Sequence, residues 1–258
     1  MLAFDEIKAI HSAYWKPGFG TVKAEEAAFI QQYIERNKPE IFVEVGVTTG
    51  LSSAFILMFL AENGGKTLHS IDINEMFFGD RTKATGFLVD AIGGSGQDLF
   101  KLHLKKSAFD LEQILNGAKF DMAFIDAHHG HPWPTIDTMA LLPFAKPGAL
   151  IFHHELALYK QKGIGIGPKY LFDQFDMDER QMIDHPSKNI GFIRVPQGDY
   201  NYRASEAKLL SALDMPWTIP ELQPAWSKKF QRLLKDYWSE SAVAAFVAAN
   251  ERYNKALA

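Results

Sequence analysis

The sequence predicts a doubly wound α/β fold, a mostly parallel sheet covered by helices on both faces. Three observations predict it. From Pro39 to Val195 short β-rich runs alternate with helix-patterned segments. Most of those β-rich runs are continuously apolar, as strands buried on both faces must be. The first of them ends in a glycine-bearing turn that leads directly into a helix, EIFVEVGVTTGLSS.

In chain order, the spacing predicts strands near 40–45 (EIFVEV), 67–72 (TLHSID), 99–104 (LFKLHL), 120–126 (FDMAFID) and 148–153 (GALIFH). Helices are expected over 51–62, 82–92, 108–116 and 132–142, the last with Pro132 or Pro134 in its first turn, where a missing N–H is tolerated. After Gly167 a helix-like stretch, PKYLFDQF, precedes two short β-like runs, RQMID and NIGFIRV, joined through HPSK. That hairpin brings the expected strands to seven and ends the sheet antiparallel. Ahead of the sheet, residues 23–37 place Ala27, Ile30, Tyr33 and Ile34 on one helical face that leans on the first strand. Beyond it PQGDYNYR reads as a linker, and from Pro224 onward Trp226, Phe230, Leu233, Leu234 and Tyr237 recur at helical spacing. The expected organisation is a main domain over 1–198 and a C-terminal helical extension over 199–258. Its aromatics Trp217, Trp226 and Trp238 are expected in packing or a subunit interface.

The 258 residues are 47% hydrophobic and 22% charged, enough for one generous core. A formal net charge of −4 and a pI near 6.1 supply no positive field for a phosphate backbone, so nucleic acid is not an expected partner. Without cysteine, disulfides, thiolate metal sites and a thiol nucleophile are excluded. The N-terminal MLAFDEIKAIHSAYW mixes charges with apolar residues, unlike a signal peptide, and a cytoplasmic location is expected. The longest apolar run, around Ala54 to Ala61, falls well short of the about 20 residues that span a bilayer, so no membrane partner is expected.

The turn after the first strand carries the first functional signal. Ligands of open α/β sheets bind beyond the carboxyl ends of the strands, where the strand order reverses. Gly46 and Gly50 let the backbone approach a nucleoside there, and the helix start, with Ser52 and Ser53, offers unpaired N–H groups. Thr48 and Leu51 occupy the second and third glycine positions of the dinucleotide fingerprint, which disfavours NAD. A phosphate-binding loop would need Gly-Lys-Ser/Thr, which neither this turn nor the GIGIG run at 163–167 contains.

Glu-x-Gly-x-x-x-Gly-x-Ser after a first strand resembles the class I S-adenosylmethionine-dependent methyltransferases, particularly their small-molecule O-methyltransferase branch, over about residues 18–195. The resemblance implies a Rossmann-like domain with S-adenosylmethionine as cofactor. It implies that Glu44 orients the methionine part, with Gly46, Thr48 and Gly50 forming the turn beneath it and Ser52 in the helix's first turn. Asp72, 28 residues after Glu44, is implied to bind both ribose hydroxyls, a task that suits the two oxygens of a carboxylate. Ser107 is implied near the adenine, although Lys106 stands where related sequences often have Asp.

Five of the nine histidines, His128, His129, His131, His153 and His154, lie at or just past the ends of two successive strands. FIDAHHGHPW resembles the motif Phe-Ile-Asp-Gly-x-His, with Asp126 and His129 matching and Ala127 replacing the glycine. LLPFAKPGALIFHHE resembles Leu-x-Pro-Gly-Gly followed by a strand and His-Asp, with His154 and Glu155 on the last pair. In metal-dependent relatives these positions hold a divalent cation, so the resemblance makes Asp126, His154 and Glu155 candidate ligands. Mixed His and carboxylate donors suit manganese, iron or zinc at least as well as magnesium. Methyl transfer to oxygen requires that oxygen's proton to leave, and His129 is the candidate base, with Asp126 the other candidate catalytic group. His128, His131 and His153 fit scaffold roles equally. The acceptor pocket is expected above this cluster, walled by the loop from Leu156 to Pro168, by Trp133 and by the N-terminal WKPGFGT.

The expected function is methyl transfer to an oxygen of a small hydroxylated acceptor, a sugar or catechol-like diol, by a cytoplasmic enzyme able to form a homo-oligomer. Two other functions stay open. A metal-dependent hydroxylase or hydrolase could use the histidine cluster, although no two-His facial-triad spacing lies on one strand. A non-catalytic module could keep the cofactor pocket for structure or regulation.

Overall fold

A computed structural model describes residues 2–160, 165–198, 201–219 and 222–257. Its sheet has seven strands: β1 (Ile41–Val45), β2 (Thr67–Asp72), β3 (Phe100–Leu104), β4 (Phe120–Ile125), β5 (Ala145–His153), β6 (Arg180–Met182) and β7 (Gly191–Arg194). They lie in the order β3-β2-β1-β4-β5-β7-β6. The first five are parallel, and β7 runs antiparallel to both its neighbours. The expected α/β sheet forms, with the last strand one place in from the edge.

Successive strand residues point to opposite faces, and each face meets its own helices. Phe42, Leu68, Met122, Phe124, Phe152 and Phe192 pack with α1 (Phe4–Tyr14), α2 (Ala24–Asn37) and α3 (Leu51–Asn63). Val43, Val45, Ile71, Ala123, Ile125 and Ile151 face the opposite layer. That layer holds α5 (Leu111–Leu115), α6 (Trp133–Leu141), α7 (Gly167–Phe172), α8 (Glu206–Leu213), α9 (Pro224–Tyr237) and α10 (Glu240–Leu257). α3 is buried nearly all round, since β2, α2 and the turn over Gly94–Leu99 all pack on it.

Three expectations change. The helix expected over 82–92 shrinks to α4 (Val89–Ile92), because Gly86 turns with φ +80 and Phe77 and Phe87 cluster with Phe19 rather than on a helical stripe. α1 was not anticipated. The segment expected as a linker is a packed turn over Asn201–Ser205, where Tyr202 donates to the Tyr237 carbonyl at 3.0 Å. Residues 199–200 lie outside the described residues. The C-terminal extension joins the sheet's own core, with Phe230, Leu234 and Phe246 in one cluster with Ile125 and Met139. The buried Trp238 donates from Nε1 to the Met139 carbonyl at 3.2 Å. No helix among the described residues is long and apolar enough to cross a membrane.

Candidate active site

The strand order reverses between β1 and β4, and a cleft of about 300 Å³ opens at their carboxyl ends. Gly46, Thr48, Asp72, Ser107, Asp126 and Trp133 line it, with Asp137, His128, Phe78 and Trp226. Gly50, Ser52, Glu44, His129, His154 and Glu155 do not reach its wall.

Backbone contact dictates the glycine turn. Gly46 sits at φ +92, and a Cβ there would stand 2.3 Å from the Asp126 carbonyl oxygen, so the ends of β1 and β4 meet only through glycine. Asp126 N donates to Val45 O at 2.9 Å across the same junction. Gly50 begins α3 at φ +84, where a Cβ would press on Val89 and Gly86. Asp72 then fastens the turn: Oδ2 accepts from the amides of Val47 (3.0 Å) and Thr48 (3.2 Å), and Oδ1 from Asn74 (2.8 Å). The carboxylate still faces the cleft. The N-terminal segment buttresses this turn rather than walling the pocket, since Thr48 Oγ1 donates to the Gly20 carbonyl at 3.4 Å.

Glu44 corrects an expectation. Its carboxyl is wholly buried on the α3 side, where Ser53 and Ser70 each donate to Oε2 at 2.5 Å. Burial pushes its pKa up to about 8 against those two hydrogen bonds. Glu44 therefore braces the turn from beneath instead of facing the cleft. Of the two helix-start serines it is Ser53, not Ser52, that meets it. Ser107 caps the turn after β3, its N–H donating to Asp110 Oδ2 at 3.0 Å, and Lys106 pairs with Asp110 at 3.6 Å.

At the end of β4, Asp126 accepts from His154 Nδ1 at 2.8 Å, while His154 Nε2 donates to Glu26 Oε2 at 2.9 Å. His154 is fully buried, and burial alone would lower its pKa. The two carboxylates outweigh burial and hold it well above its ordinary value, as an imidazolium. Burial likewise works against the Glu26 anion, but the hydrogen bond from His154 takes its pKa down to about 2. Glu26 also accepts from Lys23 N (2.7 Å) and Asn189 Nδ2 (3.2 Å).

The three residues expected to hold a cation do not form a site. Both ring nitrogens of His154 are spent on carboxylates and keep no lone pair for a metal. Glu155, on a left-handed turn at φ +58, makes no hydrogen bond or ion pair with Asp126 or His154 among the described residues. No group of three or more His, Asp or Glu side chains arranged for a metal occurs among the described residues. His129 is different: its Nε2 stands 3.8 Å from Asp126 Oδ1, and burial lowers its pKa, leaving a neutral imidazole beside the cleft.

His131 and His153 are scaffold, both fully buried with pKa values pushed down by burial to about 4 and about 3, and the ring of His153 meets no hydrogen-bond partner among the described residues. His128 lies at the cleft rim, its Nδ1 accepting from Gly130 N at 3.0 Å. The loop expected to wall the pocket falls partly on residues 161–164, outside the described residues. Trp226 departs from its expected role: it reaches the cleft and meets Trp133 edge to face at 6.0 Å. Trp217 and Trp238 are buried in packing as expected. Sequence reasoning missed Glu26, Asp137, Trp226 and Phe78. Glu26 and Asp137 did carry a signal, each being an acid on an otherwise apolar helical face, beside Ile30 and Tyr33 and beside Trp133 and Leu141.

Strand order, switch-point cleft and the turn fastened by a strand-end acid define the class I methyltransferase fold. Residues 43–156 match the family model described as a methyltransferase domain. Its fold is similar to the O-methyltransferase TomG from Streptomyces achromogenes, involved in tomaymycin synthesis and solved with SAM. That match has 18% identity and a TM-score of 0.51, covering 76% of this chain and 89% of that one. It is also similar to cofactor-bound Rv0187 from MTB, with 16% identity, a TM-score of 0.54 and coverage of 74% and 88%. No curated protein matches the sequence.

Proposed function

We propose that the protein is an S-adenosylmethionine-dependent methyltransferase acting on an oxygen of a small hydroxylated acceptor, of the sugar or catechol-like diol kind. One observation carries this reading: in a chain that matches a methyltransferase-domain model over residues 43–156, the cleft at the β1/β4 switch point joins a side-chain-free turn at Gly46 to the strand-end carboxylate of Asp72. The turn leaves room for a nucleoside, and Asp72, 8% exposed and facing the cleft, keeps acceptor capacity for ribose hydroxyls. Thr48 and Ser107 line the same cleft, while Gly50 starts α3 and Glu44 braces the turn from behind. When bound, S-adenosylmethionine supplies an electrophilic methyl on a sulfonium.

The chain's own part is positioning and proton removal. An alcohol is a poor nucleophile until a neighbouring base takes its proton. Neutral His129, set outside the cleft wall but next to its residue Asp126, is that base for an acceptor entering beside the cleft, and the carboxylate 3.8 Å away favours the imidazolium it becomes. His154, itself held by Glu26, orients Asp126 from behind. The base reading is preferred to metal assistance because the His154 donors are already engaged.

Isothermal titration with S-adenosylmethionine, S-adenosylhomocysteine and NADH tests the cofactor. Micromolar binding of the two sulfur compounds is expected, and binding of NADH alone would overturn the reading. Activity against a panel of hydroxylated acceptors, followed by mass spectrometry, should survive complete chelation of divalent ions. Loss of transfer on chelation, restored by a metal, would reject His129 acting without a cation.

A further inference from the structure

Asp137 has no part in the site described so far. It stands one helical turn beyond Trp133 on α6, lines the cleft and is 5% exposed. Buried carboxyls ordinarily find a donor or a cation, because burying one alone is costly. Among the described residues none reaches Asp137, and burial is the sole cause of its pKa rising to about 7.

Its surroundings suggest what it awaits. Trp133 and Trp226, in edge-to-face contact with each other, together wall this end of the cleft, with Ser107 and the small Ala108 just past β3. An aromatic wall beside one unsatisfied acceptor suits a planar heterocycle that carries an amino group. Asp72 lies in the same cleft at the end of β2, the neighbouring place for a sugar attached to that ring. Lys106, two residues past β3, offers only donors and is directed to Asp110, so the acceptor for an amino group must come from elsewhere.

We propose that Asp137 recognises the adenine of the cofactor, its carboxyl accepting a hydrogen bond from the exocyclic amino group beside Trp133 and Trp226. This rests on the cofactor reading above. The purine is thereby read from helix α6 and from the C-terminal extension that supplies Trp226, not from the end of β3.

The test uses the full chain and isothermal titration with two probes: S-adenosylhomocysteine, and its analogue with hydrogen in place of the 6-amino group. The wild type is expected to prefer the amino-bearing probe about tenfold, the worth of one well-placed hydrogen bond to a charged or buried group. Asp137→Ala and Asp137→Leu should bind both probes equally, whereas Asp137→Asn, which keeps an acceptor oxygen, should retain the preference. The ratio within one variant cancels any loss of folded protein, and two apolar variants guard against one failing to fold. An unchanged preference in the apolar variants overturns the role of Asp137 while leaving the cofactor reading intact. Failure of the wild type to bind either probe overturns the cofactor reading itself.

Discussion

Burial sets the ionisation of Glu44, and that makes its role measurable. A carboxyl whose folded pKa is raised from 4.5 to about 8 is favoured in its protonated form by the fold. Full stability from this group is present below about pH 4.5 and is lost as pH rises through 8. Glu26 has the opposite sign: with its pKa lowered to about 2, its contribution is present above pH 4.5 and lost as pH falls towards 2. Glu44→Gln keeps an oxygen to accept from Ser53 and Ser70 but cannot ionise. Its stability relative to wild type, followed by urea unfolding, should rise from pH 5 to pH 8 by on the order of several kcal/mol. A difference independent of pH would show that Glu44 is not titrating in the folded state. The position of Glu44 was legible, because a strand, an acid and a glycine turn follow one another in the chain. Its direction was not, since Ser70 lies on a neighbouring strand that only pairing brings beside it.

Elements meet where side chains give way to backbone. The β1–α3 turn approaches the end of β4 so closely that a methyl group at Gly46 has no room. Gly46→Ala should cost roughly 3 kcal/mol or more and weaken binding of S-adenosylhomocysteine, because a fixed carbonyl must move and the left-handed backbone is strained besides. Gly64, the C-cap of α3 at φ +78, has open space around its missing Cβ. Gly64→Ala should therefore cost only about 1 kcal/mol, the backbone penalty alone. Equal losses in thermal or urea unfolding would contradict the close approach at Gly46. Local patterns located α2, α3, α6 and α9 to within a few residues because each repeats apolar residues at helical spacing. The stretch over 82–92 misled because its apolar residues serve an aromatic cluster with Phe19 from the distant N-terminal segment.

At the scale of the molecule, the C-terminal extension completes one of the sheet's two covering layers, adding α8, α9 and α10 to α5, α6 and α7. Phe230, Leu234, Trp238 and Phe246 are buried in it, each worth about 1.5–3 kcal/mol relative to exposure. Together they approach the 5–15 kcal/mol that holds a typical domain folded. A chain ending at residue 198 should therefore be insoluble or lack a cooperative thermal transition, and should not bind S-adenosylhomocysteine. A soluble, cooperatively melting truncation with unchanged affinity would show that the extension is dispensable and that Trp226 does not serve the cleft.

By itself the sequence determined the α/β class, the alternation of strands and helices, the glycine turn and the strand-end acids Asp72 and Asp126, since all of these are written in residues close together along the chain. Tertiary structure alone decided that His154 is spent between Asp126 and Glu26, the latter 128 positions away, and that Trp226 joins Trp133 and Asp137 at the cleft. Partners so far apart leave no periodic or local mark. Their pairing follows from which faces of the sheet each helix covers, and that is settled only when the whole core closes.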